Sequence, residues 1–203
     1  KRQSLSTSGL SFNGEDFLGA AANPPEGFEF SDVMPPGTSL EGFMYPDSYR
    51  FDRDTPVEAF IETILHNFSL KLSADIRQGF NRQGLGVFQS VTLASIVERE
   101  SVNDEEMPLI ASVFLNRLAA GIKLDTDPTV QYAIGYNADQ ATWWTNPLSL
   151  NDLEIDSPYN TYRYAGLPPG PIANPSLAAL RAVAFPAQSP YYYFRAAGLH
   201  SGR

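Results

Sequence analysis

One carboxylic acid is distinguished in this sequence by its position on a predicted helix. Leu93, Ile96 and Val97 are spaced as residues that share one face of an α-helix. Glu100 falls on the same face, two helical turns after Leu93. Glu98 lies two residues before Glu100, about 200° around the helix axis, and points in another direction. The spacing therefore predicts that Glu100 is the acid that faces the interior.

A carboxyl group in that position could perform acid–base chemistry. Burial disfavours the ionised form of a glutamate, so we expect the pKa of Glu100 to be raised. A side chain that keeps its proton near neutral pH can act as a general acid. The alternative is a structural acid paired with an arginine or a backbone donor, and the helical pattern leaves both roles open.

The composition narrows the classes of function. The net charge of −9 argues against a basic surface for nucleic acid or anionic lipid. The chain has no cysteine, and its two histidines, His66 and His200, are far apart in sequence. Both facts disfavour thiol chemistry, a histidine-rich metal site and a catalytic triad. We therefore predict no nucleic-acid partner, no metal and no cofactor, and we interpret the acidic run at 104–106 as a helix start.

Two predicted helices between residues 90 and 121 position Glu100. Ser90 can cap the first helix and Asn103 the second, because both residue types are favoured N-caps. Gly121 can take the left-handed position that follows the second helix. We expect these helices to form a central pair joined by a short polar connection.

The flanking segments predict fewer regular elements. Residues 1–54 show little helical periodicity. Thr55 as N-cap and Pro56 as first helical residue begin an amphipathic helix of roughly 25 residues with one kink. Three shorter elements follow: a helix that Asp127 caps before Pro128, a helix at 175–184 and an aromatic strand at 191–194.

Polar loops and helix flanks carry the other candidate residues. Residues 135–147 form a predicted surface insertion, whose Trp143 and Trp144 either plug the core or form a platform for sugars. Residues 157–175 form a proline-rich loop of fixed shape, and such loops often line sites. Four residues are either structural or neighbours of a cleft: Asn116, Asp125, Thr126 and Gln131.

Several motifs occur together in the order of a known family. They are LEGFMYPDSYRF at 40–51, LASIVERES at 93–101, ASVFLNRL at 111–118, LDTDPTVQYAIG at 124–135, SPYNTY at 157–162, GLPPGPIANP at 166–175 and AFPAQSPYYYF at 184–194. In this combination the chain resembles the endolytic murein transglycosylase family (YceG-like, MltG-type).

The resemblance implies a catalytic role for Glu100, the second glutamate of the VERE segment. It also implies that Tyr159 and the LPPG loop border the cleft. The candidate substrate-binding residues are Asn116, Thr126, Asp127, Gln131, Tyr159, Asn160, Thr161, Leu167 and Pro168. The implied reaction is cleavage of the β-1,4 bond between N-acetylmuramic acid and N-acetylglucosamine in peptidoglycan, with 1,6-anhydro ends and a single glutamate as acid and base.

The expected architecture is α+β. A mainly helical catalytic domain at 41–203 would surround the central helix pair, with short β segments and long Pro/Gly-rich loops. Residues 1–40 would be a linker or remnant of a LysM-like region, and the chain would be a C-terminally truncated piece of a longer protein.

The resemblance also implies a cellular setting. The full-length protein would lie at the extracytoplasmic face of the bacterial cytoplasmic membrane, with cell-wall synthases as candidate partners. The sequence has no 18-residue apolar run, so membrane attachment is expected only through an N-terminal helix outside it.

Two other functions stay open. The first is a peptidoglycan hydrolase, in which Asp125, Asp127 or Glu98 would supply the second carboxylate that a muramidase needs beside Glu100. The second is a non-catalytic scaffold that binds glycan, in which Glu100 only packs.

Overall fold

This computed structural model describes residues 9–25 and 27–194. The α-helices in these ranges are α1 (Gly14–Ala22), α2 (Val57–Lys71), α3 (Ala74–Arg82), α4 (Val87–Glu100), α5 (Met107–Ala119), α6 (Asp127–Ile134) and α7 (Leu177–Ala184). Short 3-10 helices lie at Ser31–Val33 and Asp152–Glu154. Within the same ranges, β pairing is limited to one isolated antiparallel bridge, between Asn137 and Thr142.

The mainly helical character that we predicted is confirmed, whereas the strand predicted at 191–194 is wrong. That segment is irregular, and the main-chain carbonyls of Tyr191 and Tyr192 accept hydrogen bonds from side chains of α5 instead of from a strand. The aromatic residues at 191–194 favour a strand, but no neighbouring strand pairs with this segment in the described ranges. No helix in the described part of the chain is long and apolar enough to cross a membrane.

Helix α4 is the most deeply buried element. Every residue from 90 to 97 is buried, including three small polar residues, Ser90, Thr92 and Ser95. Helices α3, α5, α6 and α7 all pack against it. A helix covered on all sides can accept only apolar or internally bonded side chains, and Thr92 and Ser95 accordingly donate to carbonyl oxygens of their own helix.

Helix α7 joins three neighbours, because it packs against α3, α4 and α5. Its buried residues include Ala179, Ala182 and Ala184, which are small enough to let helix backbones approach closely. The helix predicted at 175–184 is confirmed, although its first residue is Leu177 and Ser176 is its N-cap.

The N-terminal residues contribute aromatic rings to the same hydrophobic core. Phe12 and Phe17 contact Phe60 of α2 edge-on, with ring centroids 5.2 and 6.0 Å apart. Phe30 contacts Phe68 in the same way at 5.7 Å. These rings join the cluster that contains the residues of α4 and α7. The domain boundary at residue 40 stays a prediction.

Helix α1 lies in the region where we predicted little helix. Asn13 and Asp16 form a reciprocal capping box at its start. Its only buried residues are Phe17 and Ala21, so the apolar stripe is too short to be recognised as periodic.

The long helix predicted from Thr55 is two helices. Pro56, not Thr55, is the N-cap of α2. The chain leaves the helix at Leu72, and Ser73 starts α3 in an extended conformation. Arg77 stabilises this break, because its Nε donates to the carbonyl oxygen of Leu72 at 2.6 Å. The apolar spacing continues across both helices and conceals the break.

The predicted caps around Glu100 are displaced. Helix α4 begins earlier than predicted, at Val87 with Gly86 as N-cap, and Ser90 is buried inside it. Asn103 accepts hydrogen bonds from two backbone N–H groups, but it does so in the turn before α5, whose N-cap is Glu106. Gly121 has φ 67° directly after the C-cap of α5, as predicted.

Gly79 allows α3 and α7 to lie in close contact. A Cβ atom at this position would come within 2.6 Å of the Ala184 Cβ and 2.7 Å of the Ala184 carbonyl oxygen. We expect Gly79→Ala to lower the free energy of unfolding by about 1–3 kcal/mol in urea denaturation, because one helix must shift.

Gly19→Ala in α1 is the matched control. A Cβ at Gly19 would have no neighbour within 4 Å, so this change should stabilise the protein by about 0.5–1 kcal/mol through helix propensity. A Gly79→Ala protein as stable as the parent would contradict the close packing of α3 on α7.

Candidate active site

Glu100 is the last residue of α4 and is partly buried. Burial raises its pKa to about 7, and the negative charge of Asp127 contributes to the increase. The raised pKa agrees with the expectation from the helical face. Among the described residues the Glu100 carboxyl group has no hydrogen bond or ion pair, so the arginine or backbone partner of a structural acid is not seen there. This carboxyl group can therefore hold and release a proton near neutral pH.

Glu98 has a different environment. One of its carboxylate oxygens accepts hydrogen bonds from the Ser176 N–H at 3.0 Å and the Ser176 hydroxyl at 2.7 Å. Ser176 is the N-cap of α7, and its Oγ also accepts from the Ala179 N–H. Glu98 thus links α4 to the start of α7. Its side chain points in a different direction from that of Glu100, as the helical spacing predicted.

Asp127 stands at the start of α6, near Glu100. It is the first helical residue and not the N-cap, which is Thr126. The Tyr162 hydroxyl donates to the Asp127 Oδ1 at 2.7 Å. Burial and this hydrogen bond raise the pKa of Tyr162, and the charges of Asp125 and Glu100 add to the increase. Three acids and one tyrosine hydroxyl therefore influence one another electrostatically.

Asp125 adopts a backbone conformation that is unusual for a residue with a side chain, with φ 49°. The Arg117 guanidinium holds it in place, because Nη1 lies 3.2 Å from the Asp125 Oδ2. Arg117 is only 6 % exposed and also donates to the carbonyl oxygens of Leu124 and Tyr192. Sequence reasoning missed Arg117, whose only local signal is a charge among the apolar residues of α5.

Hydroxyl groups connect the start of α6 to the loop at 157–162. Thr161 Oγ1 accepts from the Thr126 N–H at 3.1 Å and lies 2.8 Å from Thr129 Oγ1. Thr126 Oγ1 is buried without a hydrogen-bond partner among the described residues. The predicted residues Thr126 and Thr161 are thus brought together, and both are almost completely buried.

Asn160 shapes the same loop from inside. Its side-chain amide donates to the carbonyl oxygens of Leu153 and Ile155, and its Oδ1 accepts from the Tyr162 N–H. The side chain is completely buried. Sequence reasoning selected Asn160 and not Tyr162, although Tyr162 is the loop residue that reaches Asp127; both occur in the SPYNTY segment.

Tyr159 lies between α6 and the proline-rich loop. Its ring is 4.8 Å from that of Tyr132 in α6, and its hydroxyl lies 3.3 Å from the place that a Cβ on Gly170 would occupy. Burial raises the pKa of both tyrosines, and the charge of Glu41 adds to the increase. The LPPG loop thus approaches Tyr159 closely because its last residue is glycine.

The remaining predicted residues lie in other surroundings. Leu167 and Pro168 line a mainly apolar cavity of about 420 Å³ with residues of α4 and Leu118. Asn116 lines a separate cavity of about 570 Å³, where it donates to the carbonyl oxygens of Ser189 and Tyr191. Gln131 donates to the carbonyl oxygen of Thr145. Glu100 lines neither cavity.

The described ranges hold no group of three or more His, Asp or Glu side chains placed to hold a metal ion. The groups that the site offers for chemistry are one acid with a raised pKa, an exposed carboxylate at Asp127 and the tyrosine hydroxyls beside them.

The pKa of Glu100 makes a prediction about stability. Since the folded value of about 7 lies above the ordinary 4.5, the folded state binds more protons between these values, and stability falls as pH rises through this window. We expect Glu100→Gln to raise the free energy of unfolding by about 1–3 kcal/mol at pH 8, with most of the gain lost at pH 5.

Glu98→Gln is the matched control. It weakens two hydrogen bonds to Ser176, so it should destabilise the protein by about 1–2 kcal/mol at pH 8. Chemical denaturation of both variants at the two pH values measures the difference, and a loss of stability in Glu100→Gln at pH 8 would contradict a desolvated carboxyl group.

Comparison with known proteins gives consistent matches. The YceG-like family model matches residues 5–202. An endolytic murein transglycosylase of Bacillus subtilis (strain 168) is 38% identical over 158 residues, which are 77% of this chain and 42% of that protein. An endolytic murein transglycosylase of Streptococcus pneumoniae serotype 2 (strain D39) is 34% identical over 155 residues, which are 76% of this chain and 28% of that protein.

A crystal structure of a YceG-like protein from Listeria monocytogenes has a similar fold. Its TM-score is 0.77 at 33% identity, with 92% of this chain and 62% of that chain covered. The chain thus spans less than half of the length of the curated relatives that it matches. The family match over nearly the whole sequence shows that the chain belongs to the YceG-like family.

Proposed function

We propose that this chain carries the catalytic domain of an endolytic peptidoglycan lytic transglycosylase, with Glu100 as general acid and base. The observation that carries the proposal is the Glu100 carboxyl group at the end of a buried helix, with a pKa of about 7. The names of the two bacterial relatives support peptidoglycan as the substrate. A protein acting on this polymer works on the outer side of the cytoplasmic membrane. Cell-wall synthases as partners and an N-terminal membrane anchor remain part of the proposal.

The reaction requires one group that first gives and then takes a proton. Protonated Glu100 donates to the glycosidic oxygen while the bond from that oxygen to C1 of N-acetylmuramic acid breaks. The C6 hydroxyl oxygen of the same sugar forms a new bond to C1, and the Glu100 carboxylate accepts the hydroxyl proton. The products are a free 4-hydroxyl group and a 1,6-anhydro end, and no water is consumed. The tethered hydroxyl needs no second carboxylate to activate it.

Other side chains would support this chemistry without taking the proton. The Asp127 charge favours the protonated form of Glu100, and Tyr162 holds the Asp127 carboxylate in one orientation. We propose that Gln131, Tyr159 and Leu167 border the path of the glycan strand, and that the buried Thr126 supports the start of α6 from inside. Asn160 and Thr161 would act from inside the loop, because both are buried. Asn116 and Pro168 would contribute at the edges of their cavities.

One observation favours a second function, a muramidase. Asp127 is exposed and electrostatically coupled to Glu100, so it could activate water as the second carboxylate of a hydrolase. Glu98 and Asp125 are weaker candidates, since Glu98 binds Ser176 and Asp125 is paired with Arg117.

Digestion of purified glycan strands followed by mass spectrometry separates the two functions. We expect 1,6-anhydro ends from the parent protein and at least about a hundredfold lower cleavage rate for Glu100→Gln. Glu98→Gln serves as control and should retain far more activity. Reducing ends would favour the muramidase, and full activity of Glu100→Gln would exclude both enzymes.

The pH dependence tests the role of Asp127. The rate of the parent protein should fall above about pH 7, as Glu100 loses its proton. Burial is the main cause of the raised pKa of Glu100, and Asp127→Asn removes the charge that adds to it. The variant keeps an oxygen for the Tyr162 hydroxyl. The fall in rate should therefore begin at a lower pH in this variant. An unchanged pH profile would mean that Asp127 does not influence the reacting acid.

A further inference from the structure

The insertion at 135–147 is attached to both elements that carry the acids. The Arg99 guanidinium lies over the Trp144 ring, 3.7 Å from its centroid. Arg99 precedes Glu100 in the last turn of α4. At the other attachment the Gln131 side chain in α6 donates to the Thr145 carbonyl oxygen at 2.9 Å. The insertion is thus held against the last turn of α4 and against the helix that begins with Asp127.

Internal hydrogen bonds give the insertion a defined shape. The N–H of Asn137 donates to the Thr142 carbonyl oxygen at 2.7 Å, and the reverse bond is 3.2 Å long. The Asn137 side chain also donates to Thr145 Oγ1 at 3.2 Å. None of these bonds uses an aromatic side chain, so the insertion does not depend on its tryptophans for these contacts.

Two large aromatic rings of the insertion nevertheless face solvent. Trp143 is 60% exposed and Tyr136 is 53% exposed, with ring centroids 5.5 Å apart. Trp144, in contrast, is partly buried beneath Arg99. Of the two roles predicted for the tryptophans, packing therefore fits Trp144, and a binding platform fits Trp143.

We propose that Trp143, with the tilted ring of Tyr136 beside it, forms an aromatic platform that binds a sugar ring of the glycan strand near the end of α4, with the Arg99–Trp144 pair as its anchor. The faces of tryptophan and tyrosine rings are apolar and electron-rich, and they pack against the C–H groups on one face of a pyranose ring. Such a ligand suits a chain with net charge −9, because its binding needs no basic surface. The platform rests on the proposed function, since it requires a glycan substrate.

The position of the platform decides its kinetic effect. Trp143 lies on the insertion and takes no part in the proposed proton transfer, so we expect its contact with the sugar to be the same in the ground state and in the transition state. Loss of such a contact raises KM and leaves kcat nearly unchanged. Loss of Glu100 should lower kcat instead. The two kinetic effects therefore separate the binding role of Trp143 from the catalytic role of Glu100.

Binding of peptidoglycan to the inactive Glu100→Gln protein tests the platform. Adding Trp143→Ala should lower the affinity for purified sacculi, measured by co-sedimentation, roughly tenfold. Trp143→Phe should retain part of the affinity. In the active protein Trp143→Ala should raise KM by a similar factor, and Tyr136→Ala should act in the same direction. Tyr191→Ala is the control, because this tyrosine is exposed and accepts the hydrogen bond from Asn116 through its backbone carbonyl, which the change keeps. This variant should bind like the parent.

The outcomes distinguish the platform from the proposed function. If Trp143→Ala and Tyr136→Ala bind sacculi as well as Tyr191→Ala does, the platform is overturned, and cleavage by the parent protein still supports the transglycosylase. If the parent protein binds but never cleaves, and Trp143→Ala weakens binding, the platform stands and the proposed function fails. If Trp143→Ala weakens adsorption to phospholipid vesicles but not to sacculi, the exposed rings serve a membrane surface, and the platform is overturned.

Discussion

The structure depends on the burial of α4, a helix that is covered by four others and ends in a carboxylic acid. Residues 90–97 lie wholly inside the core, so the position and direction of the last turn are fixed by packing. The backbone of Glu100 is therefore held at the end of a buried helix, and its side chain is partly buried. The low polarity around it favours the neutral form and raises its pKa to about 7.

Glu98 and Glu100 lie in one helical turn but have different surroundings. Glu98 accepts two hydrogen bonds from the N-cap of α7, where the helix dipole also favours a negative charge. Glu100 lacks such donors in the described ranges and is exposed to the field of Asp127 instead. Two carboxyl groups can thus differ in pKa because their surroundings differ. One can then serve a structural role while the other is available for proton transfer.

The features that the sequence predicted well are those with a local cause. The opposite directions of Glu98 and Glu100 follow from helical geometry, and the left-handed Gly121 follows from the end of an amphipathic helix. The break at Ser73 was predicted only as a kink within one long helix, and the early start of α4 was missed, because the apolar spacing continues through both positions. Periodicity alone does not mark where a helix stops.

The features that were missed have distant causes. Arg117 donates hydrogen bonds to the backbone around Leu124 and at Tyr192. Tyr162 donates to Asp127, which lies 35 residues earlier in the sequence. Trp144 packs on Arg99 only because the insertion folds back onto α4. Pairings of this kind depend on the tertiary fold, and the residue types by themselves do not specify them.

The central claim is that Glu100 keeps its proton near neutral pH. An NMR titration of the glutamate carboxyl carbons tests it directly, with the Glu100 signal assigned by its absence from the Glu100→Gln protein. The account predicts a midpoint close to pH 7 for this signal. A midpoint near the ordinary value of 4.5 would contradict it.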